Sequence, residues 1–75
     1  MTKTIRVENA CTSDYNVVVE SWLRGVNGEP DKMVCKFPLN NPTALLTETI
    51  WDTKYLVVRE RYKDEPIFYG VVNNG

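Results

Sequence analysis

Apolar side chains recur at every second position in one stretch of this chain after another. Tyr15, Val17, Val19, Ser21 and Leu23 share one side of an extended segment, and Asn16, Val18, Glu20, Trp22 and Arg24 share the other. That two-residue period specifies pleated strands. It says how the chain folds and names no reaction.

The same reading divides the chain into six strands. Thr2 to Ala10 sets Ile5 and Val7 inward against Thr4, Arg6 and Glu8, and Thr12-Ser13-Asp14 supplies turn formers whose short polar side chains bond to nearby backbone. Tyr15 to Arg24 is apolar on both faces, through Val17 and Val19 on one and Val18 and Trp22 on the other, which places it centrally or under a second cover. Asn27-Gly28, with ready access to positive φ, closes a hairpin into Lys32 to Phe37, where Met33, Cys35 and Phe37 oppose Lys32, Val34 and Lys36. Pro38, lacking an N–H, is expected to end that strand.

Residues 39–46 are ambiguous. Asn41 has the chemistry of a helix cap and Pro42 that of a first helical residue, but β-branched Thr47, Thr49 and Ile50 follow closely. The expectation is at most one helical turn near 42–46, then a strand from about Leu45 to Trp51. Tyr55 to Tyr62 is the strongest strand, with Leu56 and Val58 opposite Val57. Ile67 to Val72 closes the sheet, weakened at Gly70 by a bulge or close approach. Residues 73–75 form a tail.

Six strands joined by short polar turns, with no helix long enough for a parallel crossover, predict one all-β domain over residues 1–75: a small antiparallel β-sandwich or open barrel. At 75 residues such a domain removes only about 60% of its unfolded surface from water, so its core is small. A hydrophobic fraction of 43% and a charged fraction of 25% match an ordinary globular domain. No apolar run approaches the ~20 residues that cross a bilayer, and the N-terminus lacks a signal-peptide pattern, so the expectation is a cytoplasmic protein with no membrane partner.

Nine basic and ten acidic residues give a net charge of −1, which provides no overall field for nucleic acid or anionic lipid. Cys11 and Cys35 are too few for zinc and there is no histidine, so no metal or cofactor is expected. The two cysteines are expected to be reduced and buried, the alternative being one disulfide between them.

General-base chemistry normally uses histidine or a desolvated carboxylate pair; here acids alternate with Lys and Arg along strands. Neither cysteine has an imidazole partner, and no glycine pattern cradles phosphate. The expectation is therefore no enzyme and no catalytic residue.

Surfaces remain. Trp22, Arg24, Trp51 and Tyr69 combine the residue types that dominate binding energy when desolvated together, although the same aromatics could simply complete a thin core. Arg59 and Arg61 beside Tyr55 and Tyr62 have the chemistry of a single-stranded nucleic-acid surface; the structural account is cross-strand pairing of the arginines with Glu48 or Glu8. A third reading, a carbohydrate or other small ligand between Trp22 and Trp51, needs both indoles in one groove.

The leading expectation is a non-enzymatic protein-interaction or assembly module that docks onto another protein or onto itself as a homo-oligomer. Its alternative is a single-stranded nucleic-acid-binding barrel. Length and an initiating methionine extend the leading reading to phage or mobile-element accessory proteins, though no residue carries that extension.

Overall fold

A computed structural model describes residues 2–10 and 17–73. Its order is β1 (Lys3–Glu8), β2 (Val17–Leu23), β3 (Lys32–Leu39), β4 (Leu45–Ile50), β5 (Lys54–Glu60) and β6 (Val72–Asn73). All pairings are antiparallel, in a two-stranded sheet β1-β4 and a four-stranded sheet β5-β2-β3-β6. The predicted all-β class with six strands is what forms, as two separate sheets rather than a closed barrel. Among the described residues there is no helix, and hence none long and apolar enough to cross a membrane.

β2 is central, as its two apolar faces require, and it supplies most of the core. Val18, Val19 and Leu39 are the buried apolar side chains among the described residues, with Ser21 beside them. Val19 is flanked by Phe37 of β3 and Val58 of β5 on one face; Val18 lies between Pro38 and Arg59 on the other.

The Asn27-Gly28 prediction holds in detail. Both residues have positive φ, 55° and 82°, and the Glu29 N–H donates to the Val26 carbonyl (3.0 Å), the geometry of a type I′ turn.

Three expectations need correction, and one, the third below, is sharpened. β3 does not stop at Phe37 but continues through Pro38 to Leu39. β6 borders β3 only at Cys35 and Lys36, so at Pro38 the outer side is open, and an edge tolerates a missing N–H. Second, the β2–β3 register shifts after Ser21, which pairs with Cys35 while Trp22 pairs with Met33. Val34 is the extra residue of a bulge, and Met33 therefore leaves the face of Cys35 and Phe37 and joins Trp22.

Third, the segment near 42–46, expected to hold at most one helical turn, holds none and forms a β-turn. Ala44 donates to the Asn41 carbonyl (3.1 Å), Pro42 occupies the second position and Thr43 the third with φ 66°, a type II arrangement. Fourth, Ile67 to Val72 is not a strand: pairing is confined to Val72 and Asn73, and a Cβ on Gly70 would meet nothing within 4 Å. The expected Cys11, the turn at Thr12-Ser13-Asp14, the start of the second strand at Tyr15 and the end of the tail lie outside the described residues.

Asn9 joins the two sheets. It is buried; its Nδ2 donates to the Leu39 carbonyl (2.9 Å), its N–H to the Ala44 carbonyl (2.9 Å), and its own carbonyl accepts from Thr43 (2.7 Å).

Candidate functional site

On one face of the larger sheet the register aligns Glu20 between Lys36 and Val57, and Trp22 between Met33 and Tyr55. Arg59, two residues beyond Val57, lies diagonal to Glu20. Its Nε and Nη2 donate to Glu20 Oε2 (3.2 and 2.9 Å).

A second carboxylate arrives from residues 61–71, which lie across this face. Arg59 Nη1 and Nη2 reach Glu65 Oε1 and Oε2 (2.8 and 2.9 Å), and Lys36 Nζ reaches Glu65 Oε2 (2.6 Å). The four side chains are 79–89% shielded from solvent and balance to zero charge. Hydrogen bonding to Arg59, then to Lys36, holds the Glu65 carboxyl well below the usual carboxylate range, and Glu65 in turn raises Arg59.

Rings complete the clamp. Arg59 lies over Tyr62 at 4.0 Å and Lys36 over Phe68 at 5.3 Å. Glu65 also accepts from the Tyr62 N–H (3.1 Å), and Asn40 Nδ2 donates to the Phe68 carbonyl (2.7 Å). Tyr62, Glu65 and Phe68 thus fall at three-residue spacing onto two cations. Residues 67–71 pair with no strand among the described residues, and pairing with β3 begins only at Val72. Arg59 pairs with Glu20 and Glu65, not with the expected Glu48 or Glu8; Glu48 instead meets Lys54 (3.3 Å).

The protein-binding candidates occupy two places. Trp22 stacks on Tyr55 (centroids 6.4 Å apart, planes at 14°) and donates to Glu20 Oε1 (3.0 Å). Arg24 follows directly and its backbone N–H donates to the Thr53 carbonyl (2.7 Å). Trp51, 42% exposed, bridges to Lys54, whose ammonium sits 5.0 Å from its ring. All three lie at one end of β2 and β5 but on opposite faces: Trp22 and Arg24 share the Tyr55 face, whereas Trp51 shares the Lys54 face, so the two indoles do not line one groove. Tyr69, 83% exposed, lies across the sheet in the segment leading to β6.

The nucleic-acid candidates are engaged internally. The Tyr55 hydroxyl donates to Asp31, which lowers the Asp31 carboxyl and raises the Tyr55 phenol. Arg61 donates to the carbonyls of Tyr62 and Glu65, and Tyr62 lies under Arg59. No pocket and no cluster of metal-ligating side chains forms among the described residues. Cys35 is a free, half-buried thiol whose Sγ lies 2.9 Å from Asn73 Oδ1.

Sequence reasoning missed Glu20 and Glu65 as partners of Arg59. The signal for Glu20 was its place inside an otherwise apolar central strand. For Glu65 the signal was its spacing from Tyr62 and Phe68. No family model, curated protein or solved structure matches this chain.

Proposed function

We propose that this chain is a non-enzymatic binding and assembly module that docks onto another protein or onto further copies of itself. One observation carries the reading: among the described residues, large apolar side chains are more numerous outside than inside. Three are buried, whereas ten are exposed, five of them (Tyr62, Ile67, Tyr69, Val71 and Val72) within 62–72.

Size agrees. The accessible surface is 5348 Å², against about 4,700 Å² for a compact monomer of this mass. The radius of gyration is 13.1 Å, against about 11 Å for this length. Flat shape and exposed apolar area both favour association. The internal engagement of Arg59 and Arg61 favours this reading over a nucleic-acid surface, because phosphate contacts would require them to give up carboxylate or carbonyl partners. A free thiol at Cys35 fits a reducing cytoplasm.

The test compares the wild-type protein with Trp51→Ala and Tyr69→Ala as immobilised baits, alongside light scattering of each. Retention of a defined protein, or self-association, that weakens in these folded variants is expected. A wild-type chain that is strictly monomeric and retains no protein overturns the proposal.

A further inference from the structure

We propose that one partner surface, separate from the exposed apolar residues of 62–72, is the outer edge of β5, and that its occupant is β5 of a second copy, paired antiparallel about Val57 so that two four-stranded sheets become one of eight. This rests on the assembly reading above and names its partner.

The backbone decides which groups are available. The Thr53 carbonyl accepts from Arg24, so the odd-numbered residues of β5 turn their N–H and C=O groups towards β2. Trp51 and Lys54 exchange backbone hydrogen bonds on the opposite side (2.9 and 3.3 Å), which assigns the even-numbered residues to the outer edge. β4 then leaves to pair with β1. Beyond Lys54, the backbone groups of Leu56 and Val58 face an edge with no neighbouring strand among the described residues.

Self-complementarity selects the occupant. In the sequence Lys54-Tyr55-Leu56-Val57-Val58-Arg59-Glu60, antiparallel pairing about Val57 sets Leu56 against Val58 of the copy and Tyr55 against Arg59. Leu56 and Val58 are both outward-directed, so each of these two symmetric pairs exchanges two ladder bonds. Val57 meets its own copy in the close, non-hydrogen-bonded position. Trp51 occupies the place beside Lys54 and ends the ladder there, so the exposed Glu60 of one copy comes up to that end as a further carboxylate near the Lys54–Glu48 pair of the other. Glu60 is exposed, and among the described residues no ion pair uses its carboxylate. Val58, 54% exposed, gains an apolar neighbour on its own face. An isologous two-fold contact of this kind closes at the dimer.

The experiment uses the full chain. Light scattering at hundred-micromolar concentration is expected to show a dimer. Val58→Pro removes an N–H that faces away from β2 and serves no strand pairing among the described residues, and it should weaken the dimer at least tenfold while the far-ultraviolet spectrum stays that of a sheet. Val57→Cys should form a disulfide dimer on mild oxidation, faster than wild type with its native cysteines, because Cα atoms about 4.5 Å apart lie within disulfide range. Glu60→Lys, which sets like charges together twice per dimer, should weaken association independently of any folding effect at Val58.

A monomer at this concentration overturns the proposal. So does a dimer that is indifferent to Val58→Pro and Glu60→Lys and gives no Val57→Cys cross-link; that result leaves the assembly reading standing and moves the contact elsewhere.

Discussion

The Arg59 guanidinium grips Glu65 with two parallel hydrogen bonds, 2.8 and 2.9 Å, while its Nε edge holds Glu20. Parallel two-point contact is the strongest geometry available to an arginine and a carboxylate. Glu65 is the peg that holds residues 61–71 against the sheet. Glu65→Ala should therefore cost about 1–2 kcal/mol in urea unfolding and make the segment from Tyr62 to Val71 the first site of limited proteolysis.

The same pair sets an acid response. The folded-state Glu65 carboxyl lies below its unfolded value of about 4.3, so its stabilisation is complete above that pH and is lost progressively on acidification towards the folded-state value. Urea midpoints should fall as the pH drops below about 5, and Glu65→Gln should flatten that fall. An unchanged acid slope in Glu65→Gln would show that other carboxylates set it.

Thr43 holds φ at 66° in the third position of the turn that starts at Asn41. A β-branched residue there costs of the order of 1 kcal/mol relative to glycine. Thr43→Gly should raise the thermal midpoint even though glycine loses more chain entropy on folding, and Thr43→Val should not.

The glycines should separate cleanly. A Cβ at Gly25 would lie 1.8 Å from the Glu29 carbonyl oxygen, which is backbone and cannot step aside, so Gly25→Ala should cost on the order of 2–4 kcal/mol. Gly70→Ala meets nothing within 4 Å and should leave the unfolding curve unchanged.

Asn9→Ala tests the joint between the sheets. It removes the side-chain donor to Leu39 in a buried setting and leaves that carbonyl without it, an expected loss of about 1–3 kcal/mol by urea unfolding.

What was readable in the chain was local. Alternation located β2 and β5, and Asn27-Gly28 located its turn, because a two-residue period and a positive φ are properties of neighbouring residues. The departures all depend on distant ones. Val34 becomes a bulge only because β2 lies alongside, and Pro38 is tolerated only because β6 is too short to reach it. The polar run from Lys63 reads as a turn and forms one, closed by the Glu65 N–H on the Tyr62 carbonyl, but only Arg59 and Lys36, brought in by two other strands, decide where the Glu65 carboxylate goes. The aromatic candidates were recognisable as residue types, but their grouping was not: the pairing of β2 with β5 leaves Trp22 and Arg24 on one face and Trp51 on the other, whereas Tyr69 follows the displaced segment to the far side.

Asn9 carries one more consequence. A pair of strands such as β1 and β4 does not persist alone in water. Its ties to the larger sheet run through this amide, the Lys54–Glu48 ion pair and the Trp51 bridge. The smaller sheet therefore melts as a passenger of the larger one, and deuterium should enter the amides of β1 no more slowly than those of β2, with Val19 among the last to exchange.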